Sequence, residues 1–122
     1  MICPYCGKEA IWVSNQEIYG KKYGVSSHMI WLCRPCRAWV GCHQNTQNPK
    51  GTLAKEPLRK LRIKAHKIVD PLWREKGFSR SHVYRTLSDA FGFRIHIGEA
   101  DEKTCADIIK TVPILFNLPA GK

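Results

Sequence analysis

Cys3-Pro4-Tyr5-Cys6 and Cys33-Arg34-Pro35-Cys36 decide how this chain is read. Each is a Cys-x-x-Cys pair, and a two-residue spacer lets both sulfurs of a pair turn toward one ion. Four thiolates in two such pairs meet the requirement of a closed tetrahedral Zn²⁺ site. A catalytic zinc usually takes three protein ligands and keeps a position for water, so the full set of four predicts a structural metal. The 26 residues between the pairs are enough for a β-hairpin that returns the second pair to the first. Four thiolates also suit iron, and the residues alone do not separate the two metals.

The surroundings of both pairs are strand-like. Ala10-Ile11-Trp12-Val13 follows the first pair, Met29-Ile30-Trp31-Leu32 leads into the second, and Ala38-Trp39-Val40 leads out of it. Such runs favour strands. Gly7 after Cys6 permits the positive φ of a tight metal-binding turn. Two turns on β-hairpins, each offering two sulfurs, make a zinc ribbon, here over residues 1–45. The second pair opens no helix, which argues against a treble-clef finger. Ser14 to Gly24 reads as polar turn, and Gly41 to Gly51 as a linker or functional loop. Cys42 and His43 in that loop are secondary metal-ligand candidates, either one replacing a member of the four-cysteine set or both forming a second site with His66 or His96.

From residue 46 onward the chain reads as a basic helical region, 46–122. Leu58, Leu61, Ala65, Ile68 and Leu72 recur at three- and four-residue steps as one apolar stripe. Asp70-Pro71 is expected to break this helix and start a short one, ended by Gly77. Ser79 is expected to cap the next helix and Gly92 to close it. Phe93, Ile95 and Ile97 alternate as a short strand. Asp101 caps a last helix stopped by Pro113, with Ile114-Leu115-Phe116 packing back on the core. The fold class is α+β: an N-terminal zinc ribbon packed against a C-terminal helical region with one short strand.

The net charge is +10, and it is concentrated. Residues 50–85 carry eleven Lys or Arg against three acids. A localised positive field suits nucleic acid, DNA or RNA, or another polyanion. Arg59, Lys60, Arg62, Lys64 and Lys67 are the expected phosphate contacts on the first long helix, with Arg80 and Arg85 on the next. The short helix from Pro71 to Lys76, the turn at Gly77-Phe78 and the helix from Ser79 to Gly92 have a helix–turn–helix-like order that would face Arg80, His82 and Arg85 to nucleic acid, although a plain bundle with a charged exterior accounts for it as well. The aromatic residues of the ribbon either build its core or stack on unpaired bases. Strand alternation marks Trp39 as the exposed ring.

No enzyme motif accompanies these features: there is no Gly-rich phosphate loop, His-Glu-x-x-His or paired acids. The leading expectation is a non-enzymatic, zinc-containing nucleic-acid-binding protein. Two alternatives stay open. One is a protein-interaction module, an inhibitor or adaptor of a host enzyme. The other is a small metal-dependent nuclease using the Cys42-His43 loop. No apolar run approaches a membrane span and no signal-peptide pattern precedes Cys3, so the expected compartment is the cytoplasm. Disulfides in a secreted chain are the less suitable reading of the cysteine spacing.

An ordered set of short segments adds a resemblance. Cys3-Pro4-Tyr5-Cys6-Gly7, Cys33 to Cys36 through Val40-Gly41-Cys42-His43, Gly51-Thr52-Leu53-Ala54, Ala65-His66, Asp70-Pro71-Leu72-Trp73, Ser79-Arg80-Ser81 with Tyr84, and His96-Ile97-Gly98 occur in order. Together the chain resembles a family of small zinc-finger-containing proteins of bacteriophages and bacteria. The resemblance implies zinc and a bacterial or phage-infected host cell. It implies no activity, and it draws attention to Cys42, His43 and His66.

Overall fold

The computed structural model describes residues 1–118. The chain forms two compact units, Met1–Glu56 and Pro57–Lys122. Residues 46–56, expected with the helical region, belong to the first unit. They are tied there by the backbone bridges Cys42↔Pro49 and Trp39↔Ala54.

The first unit is a three-stranded antiparallel sheet in the order β1-β2-β3, with β1 Ile11–Ser14, β2 Met29–Cys33 and β3 Ala38–Gly41. The β-branched and aromatic residues of these runs pair directly: Trp12 opposes Trp31, and Val13 opposes Ile30. Such cross-strand pairs stabilise a sheet, and the Trp12 and Trp31 rings lie 5.2 Å apart. The core is small: Cys3, Ala10, Cys33, Ala38 and Leu53 form one buried cluster flanked by Met1, Trp31, Cys36 and Val40, and Ile30, Leu32 and Ala54 are buried as well. Three cysteines are therefore part of the packing itself.

Between β1 and β2 the polar stretch expected as turn contains a short helix, α1, Gln16–Tyr23, broken by the left-handed Gly20 (φ 78°). It buries no residue, so no apolar stripe announced it. The Asn15 side chain accepts from the Val25 N–H at 2.7 Å, and Ser14 Oγ donates to the Val25 carbonyl. These bonds close the excursion. Gly24 sits where a Cβ would lie 2.6 Å from the Gln16 Cα.

The second unit is helical: α2 Glu56–Arg74, α3 Arg80–Phe91 and α4 Glu102–Leu115, with a 3-10 turn at Ile97–Glu99. Its core comprises Ala65, Val69, Leu72, Val83, Leu87, Ile95, Ile97, Ile108 and Val112. The caps follow the residue chemistry. Ser79 Oγ accepts from the His82 N–H, Asp101 Oδ1 accepts from the Thr104 N–H, and Gly92 ends α3 in the left-handed conformation (φ 79°).

Four expectations are corrected here. Asp70-Pro71 does not restart a helix: α2 runs through Pro71. Proline's fixed φ fits a helix, and the lost N–H bond is outweighed by burial of Val69 and Leu72 on either side. The buried stripe of α2 is Leu58, Arg62, Ala65, Val69 and Leu72, with Leu61 and Ile68 only half-buried. Residues 93–97 join no sheet among the described residues, although Ile95 and Ile97 are buried as the alternation implied. Lastly, α4 passes Pro113, and Ile114 (79% exposed) and Leu115 stay outside while Phe116 packs against the core.

Candidate metal centre and basic surfaces

The four expected sulfurs converge. Cys3, Cys6, Cys33 and Cys36 place their Sγ atoms within 4.8 Å of one another. Both pairs occupy tight, backbone-bonded turns. In the first, the Cys3 N–H donates to the Lys8 carbonyl at 2.8 Å and the Gly7 N–H to the Cys3 carbonyl at 2.9 Å. In the second, the turn joins β2 to β3, and the Arg37 N–H donates to the Arg34 carbonyl. The residue after each second cysteine is left-handed: Gly7 at φ 77° and Arg37 at φ 54°. Glycine adopts that conformation freely, whereas Arg37 does so at a steric cost.

The donor set fits a tetrahedral thiolate site. Zn–S bonds of ~2.3 Å in a regular tetrahedron separate sulfurs by about 3.8 Å. Cys6 Sγ and Cys33 Sγ are 3.6 Å apart, far beyond a disulfide bond. The protonation chemistry points the same way. The Lys8 backbone N–H, aided by the neighbouring thiols, draws the Cys6 thiol down to about 7. Burial and the adjacent sulfurs push Cys36 up to about 12. At Cys33 the Cys36 backbone N–H favours the thiolate, but burial and the other sulfurs prevail and raise it. The Cys6 thiolate forms readily, whereas those of Cys33 and Cys36 are resisted by burial and by the sulfurs beside them. Four thiolates coexist only around a cation, and Cys3, Cys6, Cys33 and Cys36 are the residues that would hold it.

Contacts to other parts of the first unit hold these turns. Tyr5 Oη accepts from the Lys55 N–H at 3.1 Å, and the Lys55 ammonium lies 4.8 Å from the Tyr5 ring centroid. Glu17 of α1 pairs with Arg34 between the second two cysteines.

Cys42 and His43 stand apart. Among the described residues the four cysteines are the one group of three or more His, Cys, Asp or Glu placed to share an ion, and neither Cys42 nor His43 belongs to it. Burial raises the Cys42 thiol, partly offset by Lys50. His66 is paired with Asp70 on α2 instead. His96 is paired with Glu99.

With these geometries in place, the chain can be set against known proteins. The model of DUF3268, a zinc-finger-containing domain, matches residues 1–113. The chain belongs to this family. No curated protein and no solved structure matches it. The DUF3268 match covers nearly all the described chain, and with the four-cysteine cluster it points to a zinc ion. Among the described residues no helix is long and apolar enough to cross a membrane.

The expected phosphate contacts divide. Lys60, Lys64 and Lys67 are exposed along α2, and Arg59 is half-buried. Arg62 is removed from the set. It is 9% exposed, and both its Nε and Nη2 donate to the Ala100 carbonyl, at 3.1 and 3.0 Å. Its charge holds the segment before α4 rather than a ligand. Arg80 and Arg85 are exposed on α3, where Arg80 lies 5.6 Å from the Trp73 ring and 5.5 Å from Tyr84. They share a groove of about 470 Å³ with Arg94, Ser81 and Ser88, and among the described residues no carboxylate lines it. Arg94 was missed because it lies beyond the basic run, in the segment read as a strand. Trp39 is half-buried with Tyr19 edge-on at 5.8 Å, not a bare ring.

Proposed function

We propose that this zinc-finger protein is a non-enzymatic nucleic-acid-binding protein of a bacterial or phage-infected cytoplasm. Zinc on Cys3, Cys6, Cys33 and Cys36 holds the first unit folded. Basic helical surfaces of the second unit contact phosphates. The observation that carries this reading is the Arg80–Arg85–Arg94 groove. Three exposed guanidinium groups border one concavity without a lining carboxylate, and two serine side chains stand beside them. Arginine's planar fork matches phosphate geometry. The exposed Lys60, Lys64 and Lys67 extend the positive field along α2.

The test is binding of zinc-loaded protein to labelled nucleic acid across a salt series. Each phosphate contact contributes about 0.9 to the log–log slope on duplex DNA. Arg85→Gln with Arg94→Gln is expected to weaken binding and flatten that slope by roughly two such contacts. Unchanged affinity and slope in this double variant would remove the groove from the binding surface.

The competing class, a protein-interaction module directed at a host enzyme, is favoured by the exposed Ile114 and Leu115 at the end of α4. Tight capture of one protein, indifferent to competing nucleic acid, would support that reading over the first.

A further inference from the structure

The first unit has a cleft of about 750 Å³, assembled from α1, all three strands, the segment leading into β2 and the loop after β3. Its walls include Trp12, Tyr19 and Trp39, and its rim carries Gln44, Asn45 and Lys50. The volume falls in the range of roughly 300–1,000 Å³ typical of ligand sites. Among the described residues no carboxylate lines it.

The loop that forms one wall is built. Its backbone closes on itself through the His43 N–H to the Asn48 carbonyl (2.9 Å) and the Lys50 N–H to the Gly41 carbonyl (2.9 Å). Thr46 Oγ1 donates to the His43 carbonyl and accepts from the Asn48 N–H. The Trp31 indole N–H donates to the Gln47 carbonyl at 2.9 Å, fastening the loop to β2. Asn45 holds a left-handed φ of 60°. With the backbone groups occupied internally, the Gln44 and Asn45 side chains are exposed at the cleft.

We infer that this cleft takes an unpaired base of single-stranded nucleic acid. The inference rests on the nucleic-acid reading above and names the form of the ligand. Aromatic rings offer stacking faces to any base, primary amides match the donor and acceptor edges of bases, and Lys50 answers the phosphate charge. A duplex hides its base faces, so it gains nothing from such a cleft.

The test compares fluorescent oligothymidylate, oligouridylate and a DNA duplex, each of about 12 units, a length within known single-strand site sizes. The parent protein is expected to bind one or both single strands more tightly than the duplex at equal salt, and the two single-stranded arms separate DNA from RNA. Tyr19→Leu keeps apolar bulk on an element that buries nothing, and Gln44→Ala changes an exposed loop position. Tyr19→Leu should lower single-strand affinity about tenfold, as loss of one base stack does. Gln44→Ala should lower it less, and neither should alter duplex affinity. Unchanged zinc content in both variants shows an intact unit. Equal single-strand affinity of parent and both variants would overturn the cleft assignment while leaving the basic-groove reading in place. Failure of the parent to bind any probe at low salt would overturn both.

Discussion

Cys33→Ser removes one sulfur from the centre of the first unit. Cys33 is 2% exposed, packs with Cys3, Ala10, Ala38 and Leu53, and brings its Sγ to 3.6 Å from Cys6. Structural zinc contributes roughly 10–16 kcal/mol of apparent folding free energy in zinc-finger peptides. Shared over four ligands, one thiolate is worth about 3 kcal/mol by this division. A core as small as this supplies no more than ~3–5 kcal/mol unaided. Three sulfurs no longer close the site around the ion, and a unit that releases the ion loses the whole zinc contribution and keeps only this small core. The core of the second unit draws on none of these residues. The expected outcome is loss of zinc and of the dispersed amide signals of residues 1–56, with those of the helical unit retained. Zinc content by metal analysis and an amide NMR spectrum read this out together. Full metal content with an unchanged unfolding curve would refute the reasoning.

Three further substitutions test other parts of the account. Arg62→Met should destabilise the helical unit by about 1.5–3 kcal/mol in urea unfolding, the worth of a hydrogen bond to a charged group, and leave the salt slope of nucleic-acid binding unchanged. Gly24→Ala places a methyl 2.6 Å from backbone and should destabilise the first unit by ~1–3 kcal/mol, seen as a lower melting temperature at fixed zinc. Asp101→Ala should cost about 1 kcal/mol at neutral pH as a lost helix cap. The Thr104 backbone N–H holds the Asp101 carboxyl below its ordinary value. The cap's contribution is thus present above the usual carboxylate range and lost as pH falls through the lowered value. Wild type and variant should begin to converge as pH falls below about 4 and meet only below the lowered value, and a gap that stays constant through that whole descent would contradict this origin.

The metal centre was legible because ligand spacing is local: each Cys-x-x-Cys declares a turn, and two turns declare a site. The caps at Ser79, Gly92 and Asp101 were legible for the same reason. What escaped depends on tertiary packing. α1 buries nothing and carries a glycine break, so no periodicity marks it. Arg62 occupies a core position of α2, and its charge displaced the expected stripe to Leu61 and Ile68. Pro71 reads as a helix start unless burial on both sides of it is known. The segment 93–97 has strand alternation but no strand to pair with in the described helical unit. The aromatic and amide residues of the cleft are spread from Trp12 to Lys50, and only the sheet brings them together.

The most direct test of the central claim is the salt dependence of nucleic-acid binding by the zinc-loaded full chain. The account predicts micromolar or tighter binding at low salt, with log affinity falling linearly and steeply against log salt, and a shallower line for Arg85→Gln with Arg94→Gln. No binding to single- or double-stranded DNA or RNA at low salt would contradict it, and the basic surfaces would then be sought on a protein partner.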